Sequence, residues 1–251
     1  FKVRNILKLV ENSVGSIYTN YMPNALEAGQ YINFRFDIYS KIAAVFFKDL
    51  TLGKNTFIKG RMETDEKGFQ LTFNSPEIKF NNYFANNLNV RVDNSNPLYN
   101  TFIEIDSLSV GIYNASQFSL INVTKRDTLL IKSEFKGGKN NRDSFNMNLF
   151  YTIDQNNKSV VGFKKSDVLF KGYEWFVNSE KDTLNKIRFD RQFKAFNIFR
   201  IKINQGDEEI AISGQIKDSL NKEFNVDFKD VQLVKITPSI DSLDLKGFVN
   251  G

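Results

Sequence analysis

Asp207-Glu208-Glu209 is the densest acidic cluster of the chain. On a strand, Asp207 and Glu209 would share a face, which is the minimum for a carboxylate pair doing acid–base work. The cluster follows Gln205-Gly206, a turn signal, so it reads as a solvated hairpin tip. Nothing nearby is equipped to assist it. The chain has no His and no Cys, which removes the usual base at neutral pH, the commonest metal ligand, thiolate chemistry and any disulfide framework. No Gly-rich phosphate loop, no Gly-x-Ser-x-Gly elbow and no metal-ligand spacing appears. Gly137-Gly138-Lys139 is too short for a phosphate loop and leads into a strand pattern, so it reads as a turn. We expect no enzyme here, with no catalytic residue, no cofactor and no metal site.

Five Asp-Ser/Thr-Leu triplets stand out, carrying Ser107, Thr128, Thr183, Ser219 and Ser242 at their centres. Physically they read as turn initiators, with Leu opening the following strand. The net charge of +5 comes from 34 basic against 29 acidic residues, interleaved rather than clustered. That pattern describes a solvated face, and nucleic acid is not expected as a partner.

The elements that would position these residues are almost all strands. From Tyr31 onward apolar residues fall on every second position, as in Ile32, Phe34, Phe36 and Ile38, the mark of a strand with one apolar and one wet face. Strands are expected near 31–39, 43–52, 56–63, 68–74, 77–80, 88–93, 101–106, 107–113, 117–124, 128–136, 144–153, 159–163, 167–171, 174–178, 186–190, 196–204, 209–217, 222–228, 231–234 and 243–249. Only residues 3–22 break the pattern. Val3, Leu7, Val10, Val14, Ile17 and Tyr21 keep helical spacing, and Pro23 closes the segment, so a helix capping or plugging the first strands is expected. No window approaches the roughly 20 apolar residues needed to span a bilayer.

Short echoes point to degenerate repeats. Phe47-Lys48-Asp49-Leu50-Thr51-Leu52 returns as Phe228-Lys229-Asp230-Val231-Gln232-Leu233, and Ile105-Asp106-Ser107-Leu108 returns as Ile240-Asp241-Ser242-Leu243. Gly60, Gly214 and Gly247 sit inside strand patterns, where glycine marks a bulge or bend. The fold class expected is therefore all-β: a long antiparallel sheet curled into an open gutter of degenerate repeats, with one short N-terminal helix. Its parts are a helical cap at 1–27 and sheet segments at 28–142 and 143–251. The start at Phe1 and the end at Gly251 inside a strand pattern read as a segment of a longer protein.

The stretch from Asp143 to Gly251 resembles the TamB family, the inner-membrane component of the translocation and assembly module, in its flavobacterial-type branch. The residues carrying the resemblance are Phe145 to Ile153, Lys158 to Asp167, Gly172-Tyr173-Glu174-Trp175-Phe176-Val177-Asn178, Ile201-x-Ile203 through Ile210-x-Ile212-Ser213-Gly214-Gln215-Ile216, and Lys235-Ile236-Thr237-Pro238. The match is weaker over 28–142 and absent over 1–27. The resemblance implies a periplasmic body anchored to the inner membrane through a segment outside this chain. It also implies an outer-membrane barrel of the TamA class, or its lipoprotein relative, as partner. The cargo it implies is phospholipid moved toward the outer membrane, in support of outer-membrane biogenesis and protein secretion. Ser107, Thr128, Thr183, Ser219 and Ser242 match the O-glycosylation sequence of that bacterial branch. Neither a membrane anchor nor a partner-docking end is evident, so membrane contact is expected only through other parts of the parent chain.

An apolar gutter needs no catalytic group to hold acyl chains, because each buried methylene contributes about 0.8 kcal/mol. The expected lining is Phe69, Leu71 and Phe73, then Leu88, Val90 and Val92, then Ile201, Ile203, Ile210 and Ile212. Two other readings share the same alternation. One is a closed β-rich structural or surface module. The other is a chaperone-like groove that offers an edge strand to barrel proteins.

Overall fold

The structure, a computed structural model, describes residues 5–15, 22–64, 68–96, 98–111, 113–190, 192, 194–217, 221–237 and 246–251. Among them are eighteen strands and three short α-helices. Sixteen strands belong to antiparallel sheet, and the last two form a separate pair, so the chain is all-β as its alternation predicts. It divides into two compact units, one of Phe1–Leu129 with Ser133–Gly137 and one of Leu130–Lys132 with Gly138–Gly251.

The first unit opens with helix α1 (Ile6–Gly15), followed by β1 (Tyr31–Asp37), helix α2 (Ser40–Phe46), β2 (Leu50–Leu52), β3 (Phe57–Glu63), β4 (Phe69–Phe80), β5 (Tyr83–Asp93), β6 (Thr101–Val110) and β7 (Tyr113–Lys125). The strands pair in the order β1-β3-β4-β5-β6-β7, with β2 taking over on β4 where β3 ends. The rest of the expected helix over 3–22 lies partly outside the described residues; residues 22–27, which include Pro23, are not helical.

Three expectations are corrected here. Residues 40–46 are helical where a strand over 43–52 was expected. Ala43-Ala44 carries no alternation, and Ile42 and Ala43 both donate their N–H to the Tyr39 carbonyl, closing a helical turn. The expected breaks 68–74/77–80 and 101–106/107–113 do not exist, because β4 and β6 run through them. At those points the apolar pattern slips by one residue, from Phe69, Leu71 and Phe73 to Ile78 and Phe80, and from Ile103 and Ile105 to Leu108 and Val110. The same slip occurs in β5 and β7. The cross-strand pairs on both sides of the slip keep one register, which sets Pro76, Asn87, Asp106 and Gln117 on a single line across four strands. Asn87 and Gln117 have φ of +52° and +51°, the ladder is interrupted there, and the Asn87 amide donates to Asp106 at 2.7 Å. A left-handed residue interrupts the pleat and lets the alternation change phase without ending the strand. Third, Asp106-Ser107-Leu108 consequently lies within β6 and initiates no turn.

The second unit contains β9 (Asp143–Ile153), β10 (Ser159–Phe163), β11 (Ser166–Phe170), β12 (Tyr173–Val177), β13 (Lys186–Phe189), β14 (Phe196–Gln205), β15 (Glu208–Ile216), β16 (Lys222–Lys229), β17 (Val231–Gln232), helix α3 (Leu233–Ile236) and β18 (Phe248–Val249). The remaining strand, β8, spans Thr128–Gly137. β9 and β14 are joined twice, by β10 and β13 at one end and by β11 and β12 at the other. Between the two tracks lies a polar knot. Buried Asn178 donates to the Phe163 carbonyl at 2.7 Å and to the Asp182 carbonyl at 3.1 Å, and accepts from Asn185 at 3.0 Å. Asn185 accepts from the Lys202 N–H at 2.8 Å, and Ser166 Oγ accepts from the Asn148 N–H at 2.8 Å. These side chains satisfy backbone groups that the divided ladder cannot reach. The expected strand at 231–234 is two residues of β17 followed by the turn of α3.

The glycines inside strands act by close approach as well as by bending. Gly60 faces Phe34 across β1 and β3, Gly162 faces Phe150 across β9 and β10, and Gly214 faces Phe224 across β15 and β16. A Cβ on Gly162 would overlap the Phe150 ring, and one on Gly60 would lie 2.8 Å from the Phe34 ring. Gly60 and Gly162 each seat a phenylalanine ring across the ladder, whereas Gly214 lies against backbone. Only Gly214 coincides with the expected bulge, a register shift between Ile198 and Ile201 on β14. Its φ is +157°, and a Cβ there would sit 2.5 Å from the Glu223 carbonyl oxygen. Because backbone cannot yield as a side chain does, Gly214→Ala is expected to destabilise the chain by about 1–3 kcal/mol. Urea unfolding followed by circular dichroism measures this, and an unchanged midpoint contradicts the close-approach argument.

Candidate functional site

The candidate site is an apolar sheet face in each unit, built from cross-strand rows. In the first unit Phe36, Ile58, Phe73, Val90, Ile103 and Leu120 align across six strands. The next row runs Phe34, Gly60, Leu71 and Val92, and the outermost is Ile32, Met62 and Phe69. Of the expected lining residues, Leu71 pairs with Val92, Phe73 with Val90 and Leu88 with Ser75. Leu71, Phe73, Leu88, Val90 and Val92 are all half-buried. Phe69 differs. It is buried with Met62 beneath Leu9 of α1, and Val10, Leu26, Ile32, Phe34, Leu71 and Val92 pack around that cluster. At this end protein covers the face. α1 is tethered there by Asn12, whose amide donates to the Asn24 carbonyl at 2.9 Å and whose oxygen accepts the Asn24 N–H at 2.7 Å.

In the second unit Ile201 pairs with Ile212 and then Val226, and Ile203 pairs with Ile210 and then Phe228. A further row aligns Tyr151, Val161, Ile187, Ile198, Gly214 and Phe224. Val161, Ile187, Phe189, Phe196, Ile198, Ile216 and Phe224 line an open groove of about 500 Å³, and Phe224 at its rim is 64% exposed. At the strand ends nearby, Asp190 accepts the Lys194 N–H at 2.8 Å, and that bond holds its carboxyl below the usual range.

The acidic cluster divides by face. Asp207 is exposed, as a hairpin tip requires, but Glu208 is not solvated. Its carboxylate forms an ion pair with Lys235 of α3, and the two side chains are 11% and 12% exposed. Lys235 also lies 5.1 Å from the Tyr173 ring centroid, and Lys171 donates to the Val234 and Thr237 carbonyls at 2.8 and 2.7 Å. Glu209 points elsewhere and meets Arg200 and Lys202, each at 3.3 Å. The cluster is therefore a clamp holding α3 onto β15, and both neighbouring carboxylates are paired with cations. Among the described residues no group of acids could hold a metal, and no helix is long and apolar enough to cross a membrane.

Of the triplet residues, Thr183 is exposed in a turn closed by Asp182, which accepts the Leu184 N–H at 2.9 Å. Thr128 opens β8 after a left-handed Arg126-Asp127 turn, and Ser107 is half-buried in mid-strand. Ser219 and Ser242 lie outside the described residues.

The expected lining left out Phe36, although its strand face was read as apolar, together with Ile58, Ile103, Leu120, Val161, Ile187, Ile198 and Phe224. A signal for the first four existed. Counting outward from the two-residue turn at Asn81-Asn82 places Phe73 opposite Val90 and extends the row. Val161 and Ile187 join their row only through β10 and β13, and no hairpin count predicts that pairing.

Comparison with family models, with curated proteins and with solved structures returns no match.

Removing Lys235 leaves Glu208 as a buried, unpaired carboxylate. Lys235→Met is expected to cost about 2–4 kcal/mol and to release α3. Hydrogen exchange over residues 231–237 should rise while β4–β6 stay protected, and unchanged exchange removes the clamp.

Proposed function

We propose that this chain is a lipid-carrying segment: phospholipid acyl chains lie along its apolar sheet faces while headgroups remain in water. The carrying observation is the row Phe36–Ile58–Phe73–Val90–Ile103–Leu120, six apolar side chains in contact register across six strands. All but the edge residue Phe36, which is exposed, are half-buried. The row of the second unit repeats the design. Such a face needs an apolar cover, and at about 0.8 kcal/mol per methylene an acyl chain of ordinary length supplies one without a specific site. Cross-strand rows also suit sliding, because neighbouring positions along the face are nearly equivalent in energy.

The resemblance of residues 143–251 to the TamB family supports a periplasmic setting for this activity, between inner and outer membranes. There the chain would work with an outer-membrane barrel of the TamA class or its lipoprotein relative, in outer-membrane biogenesis and protein secretion. Membrane anchoring would come from the parent chain, and phospholipid is the only bound group the reading requires.

A charge in the middle of a row makes the face costly to cover with hydrocarbon while leaving the ladder intact. Val90→Asp and Ile203→Asp are therefore expected to reduce co-purifying phospholipid severalfold, read by solvent extraction and mass spectrometry, with strand content retained by circular dichroism. Undiminished lipid in both variants, or none in the parent protein, overturns the lipid-carrying reading. Cross-linking that captures protein along the edge strands β1 and β16 instead of lipid at the rows would favour the chaperone-like groove.

A further inference from the structure

Helix α2 is built inside out. Its small residues, Ser40, Ala43 and Ala44, are the half-buried ones, and the helix packs against β2. Its large apolar residues, Ile42, Val45 and Phe46, are exposed, Val45 at 78% and Phe46 at 76%. No residue of the helix is buried. Tyr39 and Phe47, immediately before and after it, are exposed as well. An amphipathic helix on a protein body normally turns such residues inward. Here the body holds the helix by its alanines and presents its bulk outward. The presentation is anchored, since Ser40 Oγ accepts the Leu52 N–H at 3.0 Å and ties the start of α2 to β2.

The charges around the helix identify what it meets. Between Tyr39 and Asn55 stand Lys41, Lys48 and Lys54 against the single acid Asp49. Among the described residues none of these lysines forms an ion pair with an acid. Apolar side chains bracketed by lysines fit the boundary of an anionic bilayer, where the aromatic and aliphatic groups enter the acyl region and the ammonium groups meet phosphate. A partner protein's groove fits less well. Helix-in-groove recognition uses anchors over at least two turns, and α2 has one set at i, i+3 and i+4.

We infer that α2, with Tyr39, Phe47, Lys41 and Lys48, docks this chain onto an anionic membrane surface. The resemblance implies membrane contact only through other parts of the parent chain; this site lies within the chain itself. It adds to the lipid-carrying reading a place where the carrier meets its donor or acceptor membrane, yet the docking stands or falls independently of the cargo. The purified chain is floated with vesicles of phosphatidylcholine alone and of phosphatidylcholine with phosphatidylglycerol, at low and high salt. Binding is expected only with phosphatidylglycerol, weakened by salt. Val45→Ser combined with Phe46→Ser is expected to lower that binding tenfold or more, and so is Lys41→Glu combined with Lys48→Glu. All these positions are exposed, so the circular dichroism spectrum should not change. Ile203→Asp, far from α2 in sequence and in the other unit, is expected to float like the parent protein while losing its extracted lipid. Absence of binding by the parent protein, or binding by both α2 variants that equals the parent's, overturns the docking site. So does a parent protein that sediments as a dimer and becomes a monomer in the α2 variants, because the occupant is then a second copy. None of these outcomes depends on whether lipid is extracted from the rows.

Discussion

The constraint on which this structure depends is that a sheet with a continuous apolar face must remove that face from water, and the chain supplies little with which to do it. Among the described residues nine apolar side chains are buried, whereas twenty-one large ones are exposed. Domains of two packed layers bury the inner face of each layer against the other. Among the described residues the non-strand elements placed on the faces are short. Leu9 of α1 closes over Met62 and Phe69, and α3 is fastened to β15 through Glu208 and Lys235. On the proposed reading, phospholipid supplies the cover beyond them.

The same constraint explains the local devices. A row of side chains is useful only if it stays on one face, so any irregularity has to be shared by neighbouring strands. The line Pro76–Asn87–Asp106–Gln117 is such a shared irregularity: four strands change phase together and none loses its register. The Phe–Gly pairs do the complementary job. A glycine opposite Phe34 or Phe150 admits the ring without pushing the strands apart. In the second unit the divided connection between β9 and β14 is made tolerable by Asn178, Asn185 and Ser166, whose side chains replace missing ladder bonds.

Function, on this reading, is a property of surfaces rather than of a constellation. The residues whose chemistry drew attention first have structural roles: Glu208 holds α3, Glu209 pairs with Arg200 and Lys202, and Asp106 receives Asn87. An acyl chain asks for contact area and shape, both of which the rows supply. The outward-facing α2 belongs to the same economy, since a body with apolar surface to spare can place part of it where a membrane would meet it.

The alternation of apolar residues by itself determined the all-β class and the antiparallel hairpins, because a period of two can be satisfied only by a strand with one dry face. It also marked β14 and β15, where Ile201 and Ile203 meet Ile212 and Ile210 across a two-residue turn. Where the phase changed, however, the same rule misread continuous strands as ended ones, since alternation carries no information about a left-handed residue that shifts it. The helical turn at 40–46 was hidden for a related reason: seven residues are too few to show a period. Only the tertiary structure decided that Phe69 lies beneath a helix and that β10–β13 and β11–β12 bridge the same two strands. It alone decided that Glu208 is buried while Asp207 beside it is not. Each of those outcomes depends on contacts between residues far apart in the chain, which local periodicity cannot encode.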